Sequence, residues 1–342
     1  MSSAVVTGAG SALPATLEQD AVWEGYFARH YEGVRAARRI FAGAGVTRRH
    51  AVASPLDEDL SNWGTGARME RYVQEALPLG KQAVAGALDA AGLAPGDVGL
   101  FAVATCTGYA TPGLDIRLAA DLGMPLGLQR LLVGHMGCYA AIPGLAAVSD
   151  FVTARSRPAV LLCCELTSLH VQPAQPDLEQ VVAHALFSDA AAAVVVEPGT
   201  SRGRRVAGIV ARTDASTADH MTWDVTDLGF RMGLSPRVPD VLSRHVGDVV
   251  EELLSEAGLR VEDVAGWAVH PGGPRILDVV RDELGLAESQ IATSRRVLAE
   301  HGNCSSATVL LVLQELADVD GPVVAMAFGP GLTLYAALLL PA

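Results

Sequence analysis

The strongest constraint on how this chain can fold is an internal repeat. The stretch "GHMGCYAAIPGL" at residues 134–145 is echoed by "EHGNCSSATVLL" at 300–311, with Cys138 and Cys304 separated by 166 positions and His135 and His301 by the same 166. The echo continues upstream without a gap. "AAGLAPGDVGLFAV" (90–103) matches "EAGLRVEDVAGWAV" (256–269) at the same offset. Two segments sharing one offset point to a duplicated unit, in which each copy buries its apolar face against the other. The chain is therefore expected to form two α/β halves packed face to face.

Each copy reads as a helix ending in Ala-Gly-Leu, where the Gly suits a C-terminal cap, then an Asp-Val step and an apolar strand ("VGLFAVAT", "VAGWAVH"). Further buried strands are expected at "AVLLCCEL" (159–166) and "AAAAVVVE" (190–197), with counterparts at "PVVAMAF" (322–328) and "LTLYAALLL" (332–340). Continuous apolar runs of this length fit a sheet covered by helices on both faces. Pro, Gly, Ser and Arg in "EPGTSRGRR" (197–205) interrupt two strand-like runs, which places a boundary near residue 200. The expected halves are residues 1–200, carrying a candidate nucleophile, and 201–342, carrying its candidate partners.

Half of the 342 residues are apolar, enough for a substantial core. Aromatics are few while Ala, Gly, Val and Leu abound, so close helix–sheet contacts are expected. A net charge of −13 argues against nucleic acid as a partner. Basic charge is local: Arg29, Arg35, Arg38, Arg39, Arg48 and Arg49 stand against the single acid Glu32 between residues 29 and 50. That cluster suits either a solvated helix face or a small phosphate-bearing ligand. The N-terminus has no charged segment followed by a long apolar run, so no signal peptide is expected. The last 21 residues carry no charge, yet Gly329-Pro330-Gly331 divides them into two strand-length pieces and argues against a membrane span. The five cysteines form no CxxC pair, which fits reduced thiols in the cytosol, and Cys163, Cys164 and Cys304 belong to no metal-ligand spacing. Neither a Walker-type phosphate loop nor a GxGxxG after a strand is present.

Both matching phrases are expected to follow a strand and open a helix, so Cys138 and Asn303 should occupy equivalent helix starts. A thiol there sees the positive end of the helix dipole, which favours its thiolate; inert packing is the alternative for a lone buried Cys. Pro143 must fall in the first turn or kink the helix. His270, in "WAVHPGGPRIL", ends an apolar strand, and Asn303 can donate a side-chain N–H or serve as a helix cap. Together Cys, His and Asn supply what covalent acyl transfer needs: a thiolate nucleophile, an imidazole to form an ion pair with it, and neutral donors for a developing oxyanion.

From about Thr105 to the C-terminus, "MGCYAA", "ALFSDAAAA", "HPGGPRILD", "HGNCSSATV" and "FGPGLT" stand in the order found in chalcone-synthase-like type III polyketide synthases. The chain resembles the bacterial branch of that family. The resemblance implies a thiolase fold, α/β, with duplicated halves in a five-layer αβαβα arrangement. It implies that Cys138 takes the acyl group from a starter CoA thioester. His270 and Asn303 would then polarise a malonyl thioester, whose decarboxylation gives an enolate that attacks the Cys138 thioester and adds two carbons per cycle. Cyclisation would follow, to a pyrone, resorcinol or related phenol. The resemblance further implies a cytoplasmic homodimer that uses CoA thioesters as substrates, with no cofactor, metal, membrane or nucleic acid.

Phe187 in "ALFSD" matches the family's gatekeeper between CoA tunnel and cavity, with core packing as the other reading. Gly329, Pro330 and Gly331 would shape the cavity floor, although a plain strand turn explains them equally well. Three positions depart from the plant pattern. Cys106 stands where plant enzymes carry Thr, and recurs in bacterial members including tetrahydroxynaphthalene synthases. Thr111 stands where plant enzymes carry a Met that reaches into the partner subunit's cavity. His170 replaces a cavity-lining Thr of chalcone synthases and should reshape the space for the growing chain. The family's cationic CoA anchors have no one-to-one match; Arg48, Arg49 and Arg275 are the candidates, since Arg pairs well with phosphates. Two alternatives stand beside this reading. A ketoacyl-carrier-protein synthase III shares the Cys-His-Asn set but usually carries a different motif around the His. A catalytically silent homologue acting as a binding partner would have no reason to retain all three residues.

Overall fold

The computed structural model describes residues 3–342. Its first half runs β1 (Ala4–Ala12), a small antiparallel pair β2 (Ala15–Glu18) and β3 (Arg48–Ala51), helix α1 (Thr65–Ala91), β4 (Leu100–Thr105), α2 (Leu114–Asp121) and β5 (Gln129–Gly134). It continues with α3 (Ala141–Arg155), β6 (Ala159–Leu166), α4 (Leu178–Leu186) and β7 (Asp189–Pro198). The second half has β8 (Arg204–Thr213), a hairpin of β9 (Met221–Thr226) and β10 (Gly229–Leu234), α5 (Val238–Ser255) and β11 (Gly266–Val269). Helices α6 (Pro274–Leu284), α7 (Glu288–His301) and α8 (Ala307–Glu315) follow, then β12 (Val323–Gly329) and β13 (Thr333–Pro341).

Nine strands hydrogen-bond in the order β11-β12-β13-β8-β1-β7-β6-β4-β5. The passage from one half's strands to the other's lies between β8 and β1, which pair only at Val5–Arg205 and Val6–Arg204. Alternation along the strands sorts the side chains into layers. Ala102, Ala104, Ala190 and Ala192 of the first half, with Ala325, Ala327 and Ala337 of the second, face a shared core that encloses α3 and α8. Phe101, Val103, Ala191 and Val195 face α1 and α2 on one outside. Trp267, Val269, Val324 and Met326 face α5 and α6 on the other. The result is five layers, αβαβα, with two central helices between two half-sheets.

Small inner side chains let these layers approach closely, as the composition suggests. At Gly10 the contact is so tight that a Cβ would lie 2.4 Å from the Ala83 carbonyl oxygen of α1. The helical stretch Gly137–Arg155 is long and apolar enough to cross a membrane, but it includes α3, packed between the half-sheets. The uncharged C-terminal run forms β12 and β13, as expected.

Turn chemistry explains why the upstream repeat matches where it does. Gly92 and Gly258 both adopt left-handed backbone (φ 73° and 68°) beyond the ends of α1 and α5. Leu93 and Leu259 donate their N–H to Leu88 and Leu254, closing each helix end in the same way. Asp97 and Asp263 then accept the backbone N–H of Ala94 and Arg260, at 2.9 and 2.8 Å, fixing the tight turn that leads into β4 or β11. One expectation fails: only the first phrase follows a strand. Residues 288–301 form α7, because Ile291, Ser294, Val297 and Leu298 recur on one face and are buried.

Candidate active site

Cys138 lies in a single 3₁₀ turn, Gly137–Tyr139, that runs into α3, with Pro143 in the first helical turn. Asn303 lies four residues before α8, at the equivalent place in the second half. Its Oδ1 accepts the Ser305 N–H at 2.9 Å, which leaves the amide N–H₂ end for the cavity. His270 directly follows β11 and extends that strand's pairing by donating its N–H to the Met326 carbonyl at 2.8 Å. Cys138, His270 and Asn303 line one cavity of about 510 Å³. Both ring nitrogens of His270 are buried without a hydrogen-bond partner among the described residues, and Phe328 meets the ring at 5.8 Å. A buried imidazole with two idle nitrogens is a site waiting for a polar guest.

Burial acts on both members of the pair. Burial pushes the Cys138 thiol up to about 12; a hydrogen bond from Ser305 opposes this and the Glu165 carboxylate adds to it. Burial alone pushes His270 down to about 3. Desolvation thus works against charge on both groups, opposing the helix-start effect on the thiol. The imidazole is then ready to take the thiol proton during attack. Alkylation of Cys138 by iodoacetamide should accordingly show no inflection between about pH 6 and 9, since neither partner titrates there. An inflection near pH 7 would indicate a preformed ion pair.

Phe187 sits at a stitch between the halves: Asn303 donates its N–H to the Leu186 carbonyl, and Ser188 donates back to the Asn303 carbonyl, at 2.9 and 3.0 Å. It lines the large cavity and two smaller ones, of about 20 and 50 Å³. Gly137 and Pro330 line the 20 Å³ space beside Cys138. Gly329 lets the β12–β13 turn close onto the nucleophile turn, for a Cβ there would lie 2.9 Å from the Tyr139 ring and 3.4 Å from the Cys138 nitrogen. Gly331 holds a backbone φ of 128° in the same turn.

Cys106 shares the 20 Å³ space with Cys138, whereas His170 lines the 50 Å³ one. The His170 ring is fully committed: Nε2 donates to the Thr107 carbonyl at 2.7 Å and Nδ1 accepts the Phe230 N–H at 2.9 Å. Thr111 is exposed and lines none of these cavities. Arg275 stands exposed at the mouth of the large cavity, and Arg39, from the basic cluster, stands there with it. Arg48 is half exposed, 3.9 Å from Glu300.

Arg49 is a correction. Its guanidinium is buried, and all five N–H groups are spent inside the protein, on Gln19 Oε1 and on the carbonyls of His184, Ala185 and Phe187. No donor is left for a phosphate.

Glu165 belongs to no motif of the sequence, and its one signal there is a lone charge within the apolar run "AVLLCCEL". Fully buried, it accepts from the Cys106 N–H (3.0 Å), Thr107 Oγ1 (2.8 Å) and Ser306 Oγ (2.6 Å), tying the end of β4 to the turn before α8. Burial raises its carboxyl pKa, and these hydrogen bonds oppose the rise.

Comparison with known proteins agrees with this geometry. The family models for chalcone and stilbene synthases match at residues 55–200 (N-terminal domain) and 209–341 (C-terminal domain). The chain is 38% identical over 306 residues to a 1,3,6,8-tetrahydroxynaphthalene synthase of Streptomyces peucetius subsp. caesius, covering 86% of this chain and 80% of that protein. It is 32% identical over 314 residues to the alpha-pyrone synthesis polyketide synthase-like Pks18 of Mycobacterium tuberculosis, with the same coverage of 86% and 80%. The crystal structure of PKS-I from the brown alga Ectocarpus siliculosus superposes with a TM-score of 0.93 at 26% identity, covering 100% of this chain and 99% of that one. The chain belongs to the chalcone and stilbene synthase family and is a type III polyketide synthase of the thiolase fold.

Proposed function

We propose that this enzyme loads a starter acyl group from CoA onto Cys138 and extends it with malonyl-CoA, using His270 and Asn303 as the decarboxylation and oxyanion site. The observation that carries this is the single cavity of about 510 Å³ shared by the three side chains. Residues 1–200 supply the nucleophile and 201–342 supply the other two. The Cys138 sulfur attacks the starter thioester carbonyl, its proton passes to His270, and CoA departs as the thiol. Malonyl-CoA then loses CO₂, and the enolate oxygen is held by His270 and the Asn303 N–H₂. The enolate carbon attacks the Cys138 thioester and expels the thiolate, leaving a chain two carbons longer. Cyclisation releases a pyrone or phenolic product.

Intact-protein mass spectrometry after incubation with acyl-CoA tests the loading step. One acyl increment, on the peptide that contains Cys138, is expected; an increment elsewhere, or none, would reject the assignment. The ketoacyl-carrier-protein synthase III alternative is not favoured, because the matched models and relatives are polyketide synthases.

Arg39 and Arg275, exposed at the cavity mouth, are the cations placed to meet the CoA phosphates. Arg275→Ala should raise KM for malonyl-CoA about 10-fold with little change in kcat, the loss of one charge-assisted contact. An unchanged KM would remove Arg275 from the anchor.

The enzyme works as a homodimer in the cytoplasm. All five cysteines are free thiols, as a reducing compartment favours. The strand order ends at β5, an uncovered edge that exposes Leu131 and Leu132 (37% and 47%), and the loop carrying Thr111 packs beside it, since a Cβ at Gly113 would touch Leu132 at 3.5 Å. An apolar edge of this kind calls for a second copy. Sedimentation should give a dimer at micromolar concentration and a monomer for Leu132→Arg; a monomeric wild type would refute the pairing.

A further inference from the structure

A separate cavity, of about 160 Å³, lies on the seam between the halves and shares no lining residue with the three described above. Val6 on β1 and Val194 on β7 line it from the first half, and Leu339 on β13 from the second. Leu145 of α3, with Leu310 and Leu313 of α8, completes the apolar wall. Gly203, Gln314 and Ala317 are exposed at its rim.

Two β-bulges shape this seam. On β1, Val6 pairs with Val196 and Gly8 with Val195, so Thr7 has no residue opposite it on β7. On β8, Val206 pairs with Leu339 and Gly208 with Leu338, so Ala207 is passed over in the same way. A bulge bends its strand and re-aims the extra side chain. Thr7 lines the cavity, and its Oγ1 is buried without a hydrogen-bond partner among the described residues. Arg204, at the start of β8, is the second polar member of the lining. Its terminal nitrogens donate to the carbonyls of Leu316, Val319 and Gly321, while its Nε is buried with no partner among the described residues. Buried polar groups left idle cost stability, and valine would fit the same strand position as Thr7 without that cost.

Size and polarity together select a guest. An apolar cavity of about 150 Å³ takes up benzene, so a single six-membered ring suits this one, whereas fused rings or a long acyl chain exceed it. The Arg204 Nε–H can only donate, and the Thr7 hydroxyl can accept. One hydroxyl on the ring meets both needs, accepting from Arg204 and donating to Thr7.

We propose that the seam cavity is a binding site for a monocyclic phenol, separate from the active site, with Thr7 and Arg204 as its polar contacts. The ring packs against α3 and α8, the helices that lead away from Cys138 and Asn303. Its hydroxyl bridges β1 and β8, the strands that join the two half-sheets through only two residue pairs. Binding there needs no turnover, so the site stands or falls independently of the proposed function.

The test is NMR of the full chain carrying isotope-labelled Leu and Val methyl groups, titrated with phenol or with toluene. Methyl resonances of Val6, Leu145 and Leu310 report on the seam, and those of Val182 and Leu186 report separately on the active-site cavity. In wild type, phenol should shift the seam methyls along one saturable curve in the millimolar range or below. Thr7→Val keeps the side-chain shape and removes the hydroxyl; it should weaken phenol there about 10-fold and change toluene less than about 2-fold, the scale of one hydrogen bond. Ala9→Leu, which fills the cavity, should abolish both seam responses and leave those at Leu186 unchanged. Circular dichroism checks that both variants are folded. Seam methyls that ignore phenol in wild type would overturn the proposal, as would a seam response that survives Ala9→Leu. A Thr7→Val protein in which phenol and toluene change alike would also overturn it, because water would then serve the polar pair.

Discussion

Cys138→Ala should abolish polyketide formation, with a loss of at least about 10⁴-fold in kcat, while the protein stays folded. The substitution removes a single buried sulfur, so stability should change by no more than about 1 kcal/mol. No other described group can take over the attack. Cys106 is the nearest alternative thiol in the same space, but burial, reinforced by Glu165, pushes its pKa well above the ordinary value. His270 and Asn303 remain, and with them the means to decarboxylate malonyl-CoA without condensation. The expected signature is therefore CO₂ release without an acyl adduct and without product. Product formation above about 1% of wild type would contradict the assignment of Cys138.

The largest stability effect should come from Arg49. Replacing it with Met leaves Gln19 Oε1 and the carbonyls of His184, Ala185 and Phe187 short of the donors they now have. Each buried acceptor deprived in this way costs about 1–3 kcal/mol, so a total on the order of 5 kcal/mol is expected. That is comparable with the whole stability of many domains. Burial lowers the Arg49 pKa to about 10, with the Asp189 carboxylate opposing, so the guanidinium is charged at neutral pH and its bonds are charge-assisted. Arg48→Ala is the control: half exposed and 3.9 Å from Glu300, it should shift stability by less than about 0.5 kcal/mol. Urea unfolding of both variants measures the difference. A stable Arg49→Met protein with a raised KM for malonyl-CoA would restore Arg49 as a CoA anchor.

What could be read from the chain divides along physical lines. The pairs Gly92/Gly258 and Asp97/Asp263 recur at one offset because a left-handed cap and a tight turn impose local requirements, and local requirements write themselves into residue types. The strands were legible because a sheet covered on both faces excludes polar side chains. The strand expected before Asn303 was not, since the buried face of α7 includes Ser294, whose hydroxyl accepts the Val269 N–H, and a polar residue blurs a helical stripe. Arg48 and Arg49 are adjacent on one short strand, so chemistry alone could not tell the exposed one from the buried one. The charge balance between Cys138 and His270 is hidden for a related reason: the depth of burial, which sets desolvation against the helix dipole, depends on packing.

The most direct measurement is mass spectrometry of the products formed by purified protein from malonyl-CoA with a panel of acyl-CoA starters, without carrier protein. Ring-closed products containing more than one extender unit are predicted. Products of a single condensation, or products formed only when acyl carrier protein is supplied, would contradict iterative condensation on CoA thioesters.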